Sequence, residues 1–228
     1  MELMESIKGR RSVRAFSGRK VSRDDVTTVI NAGIAAPSKG NCQIWEFVAV
    51  FGEKKKEMDE RMLALVRTDL IPSMSVGEAA ATAENAALAK ADGRHRQYER
   101  EISGRLSPAS PPFRQFIVEG TFTFFSAPVA ILVFVDEVFA KDLPHILSVG
   151  AAVENMLLTA TALGLGSCWI GGVWRYTPVL RTLLGIPESK KLLSSVALGY
   201  PDERASINTY KAGRDGMEEF VRWAGTAD

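Results

Sequence analysis

Several residue types and motifs that support catalysis are scarce or absent in this sequence. Among 228 residues there are 2 cysteines and 2 histidines, too few for a disulfide framework or for the ligand clusters of zinc and non-haem iron sites. The phosphate-binding loop GxxxxGK[S/T], a GxGxxG turn after a strand and the hydrolase elbow GxSxG are also missing. We therefore predict no metal site and no serine-triad catalysis.

The sequence also lacks an excess of either charge, with 28 basic and 27 acidic residues. This balance argues against general binding to nucleic acid or to an anionic membrane surface. The longest apolar stretch, residues 146–170, contains Glu154, Asn155 and two helix-breaking glycines, which favours a buried core helix over a membrane span. The first residues, MELME, lack the apolar core of a secretory signal, so we expect a cytoplasmic protein without a membrane partner.

Alternating helix and strand patterns predict one domain over residues 1–228, with a sheet packed by helices. Predicted strands cover residues 45–51, 128–135, 167–170 and 192–198, and predicted helices cover residues 1–8, 22–36, 53–66, 146–163 and 177–185. Ser22 and Gly164 carry the signals of a helix start and a helix end.

Residues 71–114 differ from this pattern. They contain an alanine-rich helical run over residues 78–91, a predicted stop at Asp92 and Gly93, and a charged stretch over residues 94–105. The segment is an excursion from the core that either covers a binding site as a lid or forms a passive surface helix.

Several isolated residues have a structural interpretation. We expect Trp45 and Trp169 to lie in the core beside apolar strands. The two cysteines, Cys42 and Cys168, have no neighbouring histidine and are best explained as small packing residues. Both histidines are expected at the surface or at helix caps. The phenylalanines at 113, 116, 122, 124 and 125 either line a binding site or belong to the core.

Three arginines within five residues, in the stretch RRSVR over residues 10–14, form a local basic cluster in a chain of net charge +1. A solvated basic patch is the simpler explanation of such a motif taken alone. Arginine and serine side chains nevertheless suit the oxygens of one bound phosphate, so the cluster is a candidate anion site.

A series of motifs, in a fixed order along nearly the whole chain, resembles the nitroreductase family. The matching segments are RRSVRAF at 10–16, AAPS at 35–38 followed by Asn41, Gln43 and Trp45, LGLGSCWIGG at 163–172, IP at 186–187, LGYP at 198–201, and the basic tail at 211–223. The order of these segments is more specific than any one of them.

The resemblance implies an α+β fold with a central, mainly antiparallel sheet flanked by helices, in an intertwined homodimer. It also implies bound FMN, with NADH or NADPH as the electron donor. The implied cofactor-binding residues are Arg10, Arg11, Ser12, Arg14, Pro37, Ser38, Asn41, Gln43, Ile170, Gly171, Gly172, Lys211 and Arg214.

The resemblance also implies how these residues divide the work. Arg10 and Ser12, with Lys211 or Arg214, would hold the phosphate and ribityl chain, and Arg14 would lie at the pyrimidine edge of the flavin. Pro37, Ser38 and Asn41 would approach that flavin from the partner subunit. Gly171 and Gly172 would present backbone N–H groups to N5, with the close approach and positive φ that glycine permits.

The implied activity is hydride transfer from NAD(P)H through flavin N5 to nitroaromatics, quinones or similar electron-poor small molecules. No protein side chain need act as a catalytic acid in the first transfer, because the cofactor carries the chemistry. Two alternatives stay open at this point. One is a flavin-dependent reductive dehalogenase or flavin-modifying enzyme, and the other is a flavin-binding protein without turnover.

Overall fold

An antiparallel sheet of four strands forms the centre of this computed structural model, which describes residues 2–68 and 86–225. The strands are β1 (Trp45–Phe51), β2 (Val129–Asp136), β3 (Gly166–Ile170) and β4 (Lys190–Gly199), arranged in the order β1-β2-β4-β3. All three pairings are antiparallel. The four predicted strands are confirmed, with ends within two residues of the predicted bounds.

Strand β2 lies in the interior with both faces covered, which explains its unbroken apolar sequence. Ala130, Leu132 and Phe134 point into one hydrophobic cluster, which also contains Met58 and Met62. The alternate residues of the strand, including Ile131 and Val133, belong to a second cluster on the opposite face. Because successive side chains of a strand alternate between faces, this one strand joins the two halves of the core.

Helices pack on both faces of the sheet. Their bounds are α1 (Leu3–Gly9), α2 (Arg23–Ile34), α3 (Gly52–Thr68), α4 (Ala86–Ser103), α5 (Phe113–Phe122), α6 (Leu143–Ala162) and α7 (Thr177–Leu184). The Ser22 hydroxyl caps α2 by accepting a hydrogen bond from Asp25 N at 3.0 Å, as its sequence predicts. Helix α6 is followed by Gly164 at φ +73°, the left-handed residue expected there.

Helix α6 is the most apolar helix of the described core. By length and composition it could cross a membrane, and 44% of its apolar window is buried inside the protein. Val149, Val153 and Met156 lie in the cluster shared with β2, while Leu143 and Leu147 are more than 60% exposed. One side of this helix therefore packs on the sheet and the other carries uncovered apolar residues.

The predicted helix end at Asp92 and Gly93 is wrong, because both residues lie inside helix α4. The helix runs through both residues to Ser103, because an interior glycine costs only about 1 kcal/mol relative to alanine. Ile102, near its end, is fully buried and packs against Ile207 and Tyr210. The first part of the predicted alanine-rich run, residues 78–85, lies outside the described residues.

Two other predictions about burial are wrong, those for Trp169 and Cys42, whereas His145 lies beside a helix N-cap, which is one of its two predicted positions. Trp169 is 45% exposed because β3 is an edge strand of the described sheet; its indole N–H donates to Ser194 Oγ at 2.5 Å. Cys42 is exposed, whereas Cys168 is buried as predicted. His145 is buried at the start of α6, where its ring packs 4.8 Å from that of Phe139.

A buried ion pair lies within α3, and its lysine also donates a hydrogen bond to the turn after α5. Lys55 Nζ lies 2.5 Å from Asp59 Oδ2 and 3.4 Å from the Thr123 carbonyl oxygen. The side chains are only 4% and 22% exposed. Burial lowers the pKa of Lys55 and raises the pKa of Asp59 to about 6, so the interior opposes the charge of both partners.

Replacing both partners together should therefore destabilise the protein by less than the sum of the two single replacements. We expect Lys55→Met or Asp59→Leu alone to lower the free energy of unfolding by about 3 kcal/mol, because an uncompensated buried charge remains. The double variant should lose clearly less than the sum. Urea denaturation of the four proteins measures this coupling.

The exposed pair Lys54–Glu57, at 2.7 Å, provides the matched control. The variants Lys54→Met and Glu57→Gln should each cost less than about 1 kcal/mol. Additive losses at Lys55 and Asp59 would contradict the interpretation of a coupled buried pair.

Candidate functional site

Residues 10–16 form an extended segment, which we call the strap, along the outer edge of β3. Ser12 pairs with Ser167 in a parallel bridge, and Val13 N donates to the Ser167 carbonyl at 2.9 Å. A Cβ on Gly166 would lie 2.8 Å from Val13 Cγ2, so glycine is needed for this close approach. The backbone of the strap is therefore fixed, with Val13 directed into the protein.

A cavity of about 540 Å³ opens beside the strap. Six cationic side chains and one carboxylate line it; they are Lys8, Arg10, Arg11, Arg14, Lys211, Arg214 and Glu154. Arg10 Nε lies 3.4 Å from Glu154 Oε1. Five of the six cations therefore have no carboxylate partner among the residues lining this cavity, which suits the binding of an anion.

A second cavity, of about 200 Å³, adjoins the first and shares Arg14 and Tyr98 with it. Aromatic and aliphatic residues, including Phe125, Trp169 and Ile170, line it together with the glycines at 171 and 172. The two cavities together connect a cationic end to an aromatic end. An elongated ligand with a phosphate at one end and a planar ring at the other matches this arrangement.

Arg14 lies between the two cavities. Its guanidinium carbon is 5.5 Å from the ring centre of Tyr98 and 5.9 Å from that of Phe125, and one of its nitrogens donates to the Ser12 carbonyl at 3.2 Å. Burial raises the pKa of Tyr98, and nearby Arg14 opposes that rise. Burial likewise raises the pKa of the Cys168 thiol, so the thiol is neutral at pH 7.

The glycine turn after β3 differs from the expectation in one respect. Gly171 has φ −96°, and neither Gly171 nor Gly172 adopts a positive φ. A Cβ at Gly171 would meet no atom within 4 Å, so neither its φ nor a contact within the described subunit requires glycine there. The missing side chain leaves the backbone open to the smaller cavity.

The loop that contains Pro37, Ser38, Asn41 and Gln43 lines neither of these cavities in the described subunit. Asn41 and Gln43 have φ of +56° and +46°, which is unusual for residues with side chains. Hydrogen bonds hold the loop together: Gln43 N donates to Ser38 Oγ at 3.1 Å, and Gln43 Nε2 donates to Asn41 Oδ1 at 3.1 Å.

The structure thus brings together nine of the thirteen predicted residues. They are Arg10, Arg11, Ser12, Arg14, Ile170, Gly171, Gly172, Lys211 and Arg214. Arg11, which the motif left without a defined role, lines the cationic cavity. The remaining four, Pro37, Ser38, Asn41 and Gln43, lie in the loop over residues 37–43, and for the first three the resemblance implies contact with a flavin across the subunit interface.

Sequence reasoning missed three residues that shape the site. Asn208 is 4% exposed and binds the strap backbone, Tyr210 lines the cationic cavity, and Glu154 supplies its carboxylate. No motif contains Asn208 or Tyr210. The one available signal was Glu154, a charge in the middle of an apolar helix. The phenylalanines over residues 113–125 serve both of the predicted purposes. Phe122 and Phe124 are fully buried in the core, and Phe125 lines the smaller cavity.

The sequence profile of the Nitroreductase family matches residues 7–200, which include the strap and the glycine turn. The chain belongs to the Nitroreductase family. The match includes the strap and the glycine turn, whereas Tyr210, Lys211 and Arg214 of the cationic cavity follow its last residue. Among the described residues there is no cluster of three or more histidine, cysteine, aspartate or glutamate side chains that could hold a metal ion.

The chain is similar in sequence to named nitroreductases, and the similarity extends over almost the full length of both chains. The chain is 27% identical to the 4-nitrobenzoate reductase of a Nocardioides species over 225 residues, which cover 94% of this chain and 87% of that protein. It is 28% identical to the chloronitrobenzene nitroreductase of Comamonas testosteroni over 227 residues, covering 94% and 93%.

Solved structures have the same fold. The FMN-dependent nitroreductase NfnB from Mycobacterium smegmatis, in complex with NADPH, matches with a TM-score of 0.81 at 24% identity, over 97% of each chain. A Bacteroides fragilis nitroreductase with bound FMN matches with a TM-score of 0.64 at 26% identity, over 99% and 100%. The expected α+β nitroreductase fold is thereby confirmed.

The carboxylate of Glu154 should weaken anion binding in the larger cavity. Replacing it by glutamine removes the one negative charge of the lining and frees Arg10. We expect Glu154→Gln to bind inorganic phosphate about fivefold more tightly, which corresponds to about 1 kcal/mol for an exposed charge pair. Isothermal titration calorimetry at low salt measures the change.

Glu188→Gln serves as the control, because Glu188 is an exposed carboxylate outside the cavity. It should leave phosphate binding unchanged. Equal or weaker phosphate binding by Glu154→Gln would show that the cation cluster does not form the anion site.

Proposed function

We propose that the chain is a homodimeric, FMN-dependent oxidoreductase of the cytoplasm that uses NADH or NADPH to reduce nitroaromatics, quinones or similar electron-poor molecules. The observation that carries this proposal is the pair of joined cavities with Arg14 between them. Their cationic and aromatic ends match the phosphate and the ring of FMN. Family membership and the names of the related nitroreductases support the same function.

The cationic end would hold the phosphate group of FMN. Arg10 lies in the strap, whereas Lys211 and Arg214 lie in the C-terminal segment, so two separate parts of the chain contribute charge. Arginine forms paired hydrogen bonds to phosphate oxygens, and lysine adds a mobile point charge. Ser12 also lines this cavity, and a serine hydroxyl suits the polar ribityl chain.

The other end would hold the flavin ring and the substrate. Arg14 presents a permanent positive charge at the point where the cavities meet, and a cation there stabilises negative charge that develops on the pyrimidine edge of the ring. Tyr98, Phe125 and Trp169 offer aromatic surfaces to a planar acceptor. When bound, FMN supplies hydride transfer through its N5 between the nicotinamide and the acceptor.

A second subunit would complete the site. Helix α6 exposes Leu143 and Leu147 by 64% and 63%, and α1 exposes Leu3 and Met4 by 64% and 58%. Uncovered apolar residues on neighbouring helices are typical of a subunit interface. The strained loop over residues 37–43 is bound to α6 through Lys39 N, which donates to Ser148 Oγ at 3.1 Å, so pairing through α6 would bring this loop towards a partner.

The direct test of the function is a visible spectrum under anaerobic conditions. The purified protein, incubated with FMN and desalted, should remain yellow and should lose its flavin absorbance when NADH or NADPH is added. Subsequent 4-nitrobenzoate should restore the absorbance, because the bound flavin passes its electrons to the nitro group. Halogenated phenols, tested in parallel, should release no halide.

Each alternative has its own outcome in this experiment. Halide release without reduction of the nitro compound would favour a dehalogenase. A bound flavin that neither nicotinamide reduces would favour a binding protein without turnover. A protein that retains no FMN would contradict the proposed function.

The dimer is tested by mass in solution. We expect light scattering to give about twice the chain mass of 24.9 kDa, and Leu147→Glu to shift the protein towards monomer, because it places a charge in an apolar interface. Thr182→Glu, at an exposed position of α7, is the control and should leave the mass unchanged. A monomeric wild-type protein would overturn this part of the proposal.

A further inference from the structure

Asn208 holds the strap in place with a single buried side chain. Its Oδ1 accepts hydrogen bonds from Arg14 N at 3.0 Å and from Ala15 N at 3.3 Å. Its Nδ2 donates to the Ala15 carbonyl at 2.7 Å and to the Asp202 carbonyl at 2.9 Å. All four of these hydrogen bonds are made to main-chain atoms. The Asn208 side chain therefore connects the strap rigidly to the segment around Asp202.

One of these four bonds is made to the main-chain nitrogen of Arg14, the one residue of the strap that lines both cavities, and two more are made to the adjacent Ala15. Main-chain atoms of Arg14 are fixed by Asn208, and the guanidinium is flanked by the rings of Tyr98 and Phe125. Asn208 itself lines neither cavity. Its influence on a ligand must therefore pass through neighbouring residues, and Arg14 is the cavity residue to which it is hydrogen-bonded.

We propose that Asn208 is the positioning residue for Arg14 and that, through Arg14, it sets the reduction potential of the bound flavin. The inference rests on the proposed function, in which Arg14 lies at the polar edge of FMN. Coulomb attraction varies with the inverse of distance and is strong where solvent is partly excluded. A fixed guanidinium stabilises the reduced, negatively charged ring more than the neutral oxidised ring, whereas a displaced one does so less.

Asn208 also connects the two ends of the site. It lies in the short 3₁₀ helix Ser206–Thr209, directly before Tyr210 and the cationic residues Lys211 and Arg214. The same amide therefore fixes the spacing between Arg14 and the phosphate-binding segment. Loss of this bridge should weaken FMN binding as well as shift the potential.

The test compares FMN-reconstituted dimers of the wild type, Asn208→Ala and Asn208→Leu, the last retaining the side-chain volume without hydrogen bonds. At a given potential, we expect the ratio of oxidised to reduced flavin to be about tenfold higher in both variants than in the wild type. That ratio corresponds to a potential about 30 mV more negative for a two-electron couple. Spectroelectrochemistry measures it without reference to turnover.

The variant Arg14→Met provides the decisive comparison. If Asn208 acts through Arg14, then Asn208→Ala should cause no further shift when Arg14 is already methionine. Arg181→Met is the structural control, because Arg181 also donates to main-chain carbonyls, those of Glu188 and Lys190, but lines neither cavity. It should lower thermal stability and leave the potential unchanged.

The inference is overturned if Asn208→Ala and Asn208→Leu have the wild-type potential, or if the shift persists in the Arg14→Met background. An equal shift in Arg181→Met would also overturn it, because general loosening of the fold would then explain the effect. Failure of the wild-type protein to bind FMN is a different result, which contradicts the proposed function itself.

Discussion

The backbone pairing between the strap and the edge of β3 is the constraint on which the site depends. Val13 N donates to Ser167 O, and the missing side chain of Gly166 lets the two segments approach closely. Buried Val13 closes the core beneath this contact. With the strap fixed in this way, its polar residues face outward, and Arg14 comes to lie where the two cavities meet.

The sheet connects the strap to the core through two further strand pairings. β3 pairs with β4, and β4 pairs with the fully buried β2, whose alternating side chains hold both halves of the core together. The position of the site is thus determined by the most deeply buried strand of the described structure. The chemistry is carried by its edge, where charged and aromatic side chains can reach solvent and ligand. A rigid centre with a functional edge is a common arrangement for binding sites.

The sequence predicted the parts of the fold that depend on local patterns. The apolar run of β2, the Ser22 cap and the left-handed residue Gly164 are each dictated by their own neighbours. Local patterns failed where the outcome depended on distant segments. Gly93 is accommodated within α4 because the helix packs through Ile102, and Trp169 is exposed because β3 lies at an edge. Asn208 belongs to no motif, because its role arises only when residues almost 200 positions apart meet.

The central claim is that the cationic end of the joined cavities holds the phosphate of a flavin whose ring lies towards Arg14. Its most direct test is the affinity of the protein for FMN compared with riboflavin, which has the same ring but no phosphate. Charge-assisted hydrogen bonds to the phosphate contribute about 1.5–3 kcal/mol each, so we predict that FMN binds at least about tenfold more tightly. Equal affinity for the two flavins, or no binding of either, would contradict the account.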